Sequence, residues 1–288
     1  MTSKTDSLTL MERMYRRLAP AAFKQSKQRQ SIARALAAWG GANLPADHPL
    51  WREAMFKRQS GLKGEIDVRF NAHAGIPILV RPGTADPNPF RQVFLEQQYD
   101  CVRAAGITPH TILDLGANVG YSAVWFAMRY PHAKICAVEP LPANVERIRR
   151  QIGAAGLSDR VQIIQAAADA APGQAEFYTY EDGFFHTSGS LIADESHRVT
   201  AAVVECVTIP QLIARAGWDH ADMIKIDIEG AETRLLTVGA DVLRPVLEST
   251  RVFPVELHTP EAAAAADTFF AGWERVQLGE TTCFYRAR

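Results

Sequence analysis

Residues Thr111-Ile-Leu-Asp-Leu-Gly-Ala-Asn-Val-Gly-Tyr-Ser122 form a short apolar run that breaks into a glycine turn. A segment of helical pattern follows, and a second apolar run, Lys134-Ile-Cys-Ala-Val-Glu-Pro140, closes on a carboxylate. This order predicts a strand, a glycine turn, a helix and a second strand. Such a unit builds a nucleoside-binding crevice at the carboxyl end of a parallel sheet.

Working outward, strand and helix patterns alternate. Strands are predicted at 111–115, 134–139, 161–166, 222–228, 251–257, 273–278 and 282–287, and helices at 121–130, 142–154, 230–243 and 261–272. Pro142 suits a first helical turn, Thr259-Pro260 supplies a cap and a first-turn proline, and Gly156 suits a helix end. Only Gly279-Glu280-Thr281 separates the last two strands, which predicts an antiparallel hairpin. The fold class is therefore α/β. A Rossmann-like, mostly parallel seven-stranded sheet with its last strand reversed is the topology of class I methyltransferases. Residues 170–221 read as an insertion with strand candidates at 174–180 and 203–209.

Before this core, residues 63–110 read as a hairpin (65–70 and 76–80) and a lid carrying Phe90, Val93 and Phe94 at helical spacing. Residues 1–62 read as a helical extension. Its apolar positions include Leu8, Leu10, Met14, Leu18, Ile32, Leu36 and Trp39. Pro20 splits it and Gly40-Gly41 ends it. It suits either a small cap or an arm joining copies of the chain into a homo-oligomer.

Composition is ordinary for a soluble globular chain, with 47% apolar and 22% charged residues among 288. A formal charge of −1 argues against a nucleic-acid partner. Residues 1–60 carry eleven Lys/Arg against four acids, a basic face that is most simply a solvated one. Cys101, Cys136, Cys206 and Cys283 are scattered without a Cys-x-x-Cys, so reduced packing cysteines and a cytoplasmic location are expected. No apolar run approaches the roughly 18 residues of a membrane span, and no secretory signal is evident.

The glycine turn is Asp-x-Gly-x-x-x-Gly rather than Gly-x-Gly-x-x-Gly. Asp114 at its head would repel a pyrophosphate. It suits a ligand bearing an ammonium group, such as the methionine portion of S-adenosylmethionine. Gly116 and Gly120 allow close backbone approach. Glu139, twenty-five residues after Asp114, is placed to accept both ribose hydroxyls. A nicotinamide cofactor is disfavoured by Asp114 and by the glycine spacing.

These residues resemble the FkbM-type methyltransferases from about residue 64 to 260. The resemblance rests on Asp114-Leu-Gly-Ala-Asn-Val-Gly-Tyr121, on Val138-Glu-Pro140 with Asn144, and on Ile224-Lys-Ile-Asp-Ile-Glu-Gly-Ala-Glu232. Val255-Glu-Leu-His258 and Arg81-Pro-Gly-Thr-Ala-Asp86 add to it. The segment ending at Glu232 is the most specific. The resemblance implies S-adenosylmethionine-dependent methyl transfer, usually to an oxygen of a sugar or natural product. It places Asp114, Gly116 and Gly120 at the methionine portion, with Asn118 holding the turn. It places Glu139 at the ribose, Pro140 beside the adenosine, Asn144 at the following helix start and Ala167–Asp169 at the adenine edge.

The reacting site is read from strand ends. Lys225 and Asp227 share a strand face, and Glu229 continues it if the strand persists. Lys225 either pairs with Asp227 or orients the acceptor. Glu256 and His258 share a face of the next strand, which points His258 toward Asp227. A histidine beside carboxylates is a usual general base near neutral pH, so His258 is expected to take the acceptor proton, oriented by Asp227 or Glu256. Asp227 also counts among the cofactor contacts. The alternative is a divalent metal such as Mg²⁺ on Asp227, Glu229 or His258. His186, Ser188 and Ser190 are candidates for the acceptor pocket. The expected acceptor is a small hydroxylated, sugar-like molecule. Alternatives are N-methylation, a lipid-linked or protein acceptor, or a non-catalytic nucleoside-binding module, against which the charged cluster speaks.

Overall fold

The computed structural model describes residues 68–71, 76–81, 84–180, 189–192 and 198–286. The predicted extension 1–62, together with His186 and Ser188, lies outside the described residues. β1 (Val68–Asn71) and β2 (Pro77–Val80) pair antiparallel as the predicted hairpin. The segment read as a helix from Phe90 is broken up. A short α1 (Pro87–Phe90) runs into a π turn at Arg91–Leu95, a 3₁₀ turn at Gln98–Asp100 and α2 (Cys101–Ala104).

The core continues with β3 (Thr111–Leu115), α3 (Tyr121–Arg129), β4 (Lys134–Val138), α4 (Pro142–Ala155) and β5 (Val161–Ile164). Strands β6 (Ala167–Ala168), β7 (Gly173–Tyr180), β8 (Gly189–Ser190) and β9 (Arg198–Val207) come next, followed by α5 (Ile209–Arg215). Then follow β10 (Met223–Ile226), α6 (Glu232–Thr237), α7 (Ala240–Ser249), β11 (Val252–Glu256), α8 (Pro260–Phe269), β12 (Glu274–Leu278) and β13 (Thr281–Tyr285).

The main sheet has the order β12-β13-β11-β10-β3-β4-β5. Pairs from β5 across to β11 are parallel, and β13 runs antiparallel to both its neighbours. This is the class I methyltransferase topology. The chain winds outward from β3 to β5 and then returns to the other side of β3 with β10. Ligands in open α/β sheets bind at the carboxyl ends of the strands where the order reverses in this way. Here that point lies between β3 and β10.

Both faces of the sheet's centre are covered, so β3, β4, β10 and β11 are buried over most of their length, whereas the edge strand β12 is largely exposed. Ile112 and Met223 pack with α3, β2 and the 90–102 segment, while Leu113, Leu115, Ile224 and Ile226 pack with α5 to α8. A second sheet, ordered β6-β9-β7-β8, pairs three strands of the insertion with β6 just before it and has its own small core around Phe177, Val204 and Cys206. The four cysteines are free and buried. Among the described residues no helix is long and apolar enough to cross a membrane.

Local signals hold where expected. Pro142 opens α4, Gly156 ends it in the left-handed region, and Thr259 Oγ1 accepts the Ala262 N–H at 3.0 Å. Three readings are corrected. The helix read as 230–243 is two helices that meet at Gly239, where a Cβ would come within 2.5 Å of the Leu235 carbonyl. The strand read as 203–209 stops at Val207, because Thr208 and Gln211 form a reciprocal cap that starts α5. The strand read as 222–228 stops at Ile226, since Glu229 (φ +56°) and Gly230 (φ +98°) both take the left-handed conformation. Asp227 and Glu229 therefore lie in a turn, off the strand face.

Candidate active site

The turn after β3 is tied to β4 by Gly116 and Ala117, whose N–H groups both donate to the Val138 carbonyl at 3.0 Å. Gly116 has φ +72°, and a Cβ there would fall 1.8 Å from the Asp227 carbonyl oxygen. Only glycine lets the two strand ends approach this closely. Between them opens a crevice with about 540 Å³ of empty space, counted to its open mouth. Gly116, Asn118, Glu139 and Pro140 form one wall, and Asp227, Ile228, Glu229 and Ala231 form another. Ala166, Ala167 and Ala168 line the far end. Phe177, Gly189 and Leu191 from the inserted sheet face them.

Glu139 is buried and held before any ligand arrives. Oε2 accepts the Asn118 N–H at 3.0 Å, while Oε1 accepts the Leu141 N–H at 3.0 Å and Asn144 Nδ2 at 3.1 Å. Burial pushes its carboxyl up to about 7, against the opposing pull of these donors. Asn118 holds a left-handed backbone (φ +51°), and its buried Oδ1 has no partner within the protein. An unpartnered buried acceptor at the rim of a crevice calls for a donor from a ligand.

Asp114 and Lys225 form a buried pair beneath the two strand ends. Asp114 is wholly buried, accepts Ser122 Oγ at 2.6 Å and lies 3.2 Å from Lys225 Nζ. Lys225 Nζ also donates to the carbonyls of Leu115 (3.1 Å) and Gly116 (2.7 Å) and sits 3.2 Å from Asp227 Oδ2. Burial works against the ammonium, but the charges of Asp227 and Asp114 outweigh it and hold the lysine firmly protonated. Neither residue borders the crevice, and neither do Gly120, Asn144 or His258. Gly120 opens α3, while Asn144 acts through Glu139. Ala167 does border the crevice. Asp169 instead pairs with Arg234 at 2.7 Å. Ser190 is buried and accepts the Ile192 N–H, so it braces the bend at Leu191 where the chain leaves β8.

His258 follows β11 and lies against the outer edge of the Asp227–Ala231 turn. Nε2 is 3.6 Å from Glu256, 3.8 Å from Asp227 and 3.9 Å from Glu229. These separations exceed a hydrogen bond. The residue that does bond the ring is Glu232, whose Oε1 lies 3.0 Å from Nδ1. The orienting carboxylate is therefore neither Asp227 nor Glu256. Burial lowers the imidazole pKa, but the Glu232 hydrogen bond and the charges of Glu232, Asp227 and Glu229 overcome it and raise it to about 9. Burial and the Asp227 charge also push the Glu256 carboxyl upward. About a quarter of the His258 side chain (24%) stays exposed, which leaves the ring open to a second molecule. Asp227, Glu229 and His258 each offer one ligand atom, all within 4.8 Å of one another, a spacing that could also hold a cation.

Sequence reasoning missed Glu232, Ser122, Phe177 and Leu191. Glu232 carried a signal, as the last acid of the Ile224–Glu232 segment. The other three meet their partners only through the fold.

Comparison with known proteins follows this geometry. NoeI of Sinorhizobium fredii, a 2-O-methyltransferase, is 28% identical over 144 residues, covering 46% of this chain and 58% of NoeI. The methyltransferase sdnD of Sordaria araneosa is 25% identical over 175 residues, covering 51% of this chain and 66% of sdnD. The antimetabolite synthetase AmbE of Pseudomonas aeruginosa is 24% identical over 213 residues, 62% of this chain but 10% of AmbE. The chain thus spans less than two thirds of each. Among solved structures, a methyltransferase from Geobacter sulfurreducens aligns with TM-score 0.41 and 16% identity, over 70% of this chain and 89% of that one. The Methyltransferase FkbM domain profile matches residues 114–272, more than half of the chain, from the turn at Asp114 through the strand end at His258. The chain belongs to the FkbM methyltransferase family.

Proposed function

We propose that this chain is an S-adenosylmethionine-dependent O-methyltransferase whose acceptor is a hydroxyl of a sugar or other small hydroxylated metabolite. The observation that carries this reading is the meeting of two features at one sheet edge. A buried, pre-oriented carboxylate (Glu139) stands at one end of the crevice, and a carboxylate-bonded histidine (His258) stands just beyond the other. The 2-O-methyltransferase named among the relatives supports an oxygen acceptor.

The residues fit the cofactor. Glu139 offers lone pairs to a ribose diol, the unpartnered Asn118 Oδ1 offers an acceptor, and Gly116 leaves room for close backbone approach. The small side chains of Ala166 to Ala168 opposite Phe177 suit a flat ring. S-adenosylmethionine, when bound, supplies an electrophilic methyl group on a sulfonium. The protein's part is alignment and proton removal. His258 takes the acceptor's hydroxyl proton on Nε2, while Glu232 keeps Nδ1 engaged. Asp227 and Glu229, between crevice and histidine, accept the acceptor's other hydroxyl donors.

A panel of neutral sugars, glycosides and hydroxylated metabolites, with S-adenosylhomocysteine release as readout, tests the reading. O-methylated product from at least one member is expected. Product methylated only on nitrogen would overturn the oxygen assignment.

A further inference from the structure

Glu232 does not line the cofactor crevice, yet it makes three hydrogen bonds beside it, as many as Glu139 makes within it. Its side chain is wholly buried. Oε1 accepts the Ile228 N–H at 2.9 Å and lies 3.0 Å from His258 Nδ1, and Oε2 accepts the Gly230 N–H at 2.9 Å. The two backbone groups flank Glu229, whose left-handed conformation (φ +56°) is strained for a residue with a side chain. Ile228, Glu229 and Ala231 are walls of the crevice. One carboxylate therefore holds both the crevice wall and the imidazole.

We propose that Glu232 is a positioning residue for His258, fixing the proton on Nδ1 so that Nε2 faces the acceptor, and tying that orientation to the cofactor-lining turn. This rests on the reading of His258 as proton acceptor. A carboxylate offers only acceptors, so the Nδ1 bond carries the ring's own proton. Nε2 is then the nitrogen that titrates. The groups facing it are Asp227 and Glu229 from the turn after β10 and Glu256 from β11, with Glu232 behind the ring on α6.

Glu232→Gln keeps the shape but has one acceptor oxygen for three donors, and it places an NH₂ against a backbone N–H. It should lower kcat on the order of 10- to 100-fold, as loss of an orienting partner does. The inflection of the pH–rate profile should move to lower pH by roughly one unit, because an anionic neighbour is lost. S-adenosylmethionine should bind several-fold more weakly, since the turn loses its Gly230 anchor. In a His258→Ala background the same substitution should change kcat by less than about twofold, because residues that act as one unit are not additive. An equal cost in both backgrounds would show a purely structural role and overturn the inference. An unchanged kcat in His258→Ala alone would instead overturn the base reading. Nitrogen-detected NMR of the unliganded native protein needs neither a variant nor turnover. The His258 ring should keep its proton on Nδ1 while Nε2 titrates, and a neutral ring protonated on Nε2 would contradict the assignment.

Discussion

Lys225 Nζ lies 3.2 Å from Asp114 Oδ1, in register across β10 and β3, with both side chains buried. The same ammonium reaches the carbonyls of Leu115 and Gly116. It therefore clamps the carboxyl ends of the two strands between which the topology reverses. Breaking a buried pair by removing one partner costs about 3–5 kcal/mol, because the remaining charge is stranded. Lys225→Met should lose about that much stability in urea unfolding. Adding Asp114→Asn should return part of the loss; if the double variant is the less stable of the two, the pair is not what the lysine stabilises.

Gly116 is a second point where strand ends meet. A methyl group there would sit 1.8 Å from the Asp227 carbonyl oxygen, which is backbone and cannot swing aside. Gly116→Ala should cost about 1–3 kcal/mol in strain. It should also weaken S-adenosylmethionine binding more than tenfold, on the order of 1.4 kcal/mol or more by calorimetry. Native-like affinity in this variant would mean that the crevice wall is more yielding than its geometry implies.

Glu139 links cofactor affinity to pH. Its carboxyl is raised to about 7 by burial, and the ribose hydroxyls it is proposed to meet are donors that favour the ionised form. Affinity should therefore rise with pH. The dissociation constant should improve about tenfold from pH 6 to pH 8, the change in the ionised fraction around that midpoint. Glu139→Gln should bind roughly 10- to 100-fold more weakly, as loss of hydrogen bonds to a charged group predicts, and should lose the pH dependence. A flat profile in the native protein would remove Glu139 from the binding step.

The Asp227, Glu229 and His258 cluster can be tested for a cation directly. In the proposed mechanism the lone pair of Nε2 on the deprotonated ring takes the acceptor's proton, and no metal occupies it. Dialysis against a strong chelator should leave turnover within about twofold of the untreated protein. A loss restored by Mg²⁺ or Mn²⁺ would make His258 a ligand instead of a base.

The sheet was legible because its strands are short apolar runs with turn residues at their ends, and all seven lie close to where the pattern puts them. The crevice followed from Gly116 and Glu139, whose roles depend on local chain geometry. Asp114 heads the glycine turn in sequence, and period-two alternation sets it on the face of Ile112, where the fold pairs it with Lys225. Its partner Lys225 is expected from sequence either to pair with Asp227 or to orient the acceptor; its pairing with Asp114 depends on the register of β3 against β10, which spans more than a hundred residues and leaves no local trace. Glu232 was missed for a related reason. Its bonds to Ile228 and Gly230 depend on the left-handed turn at Glu229, a conformation that nothing in a glutamate side chain announces. Phe177 and Leu191 reach the crevice only through the packing of a second sheet.

The most direct test of the central claim is kcat for His258→Ala, with the S-adenosylmethionine dissociation constant measured on the same protein. A positioned general base contributes typically 10²- to 10⁴-fold, so kcat should fall by about that factor. The cofactor constant should stay within about twofold, because His258 lies outside the crevice that Glu139 and Gly116 line. In the native protein kcat/KM should rise with pH through an inflection near 9, where the raised imidazole loses its proton, and the variant should lack that inflection. A kcat close to native, with the inflection intact, would contradict the assignment of His258 as the proton acceptor.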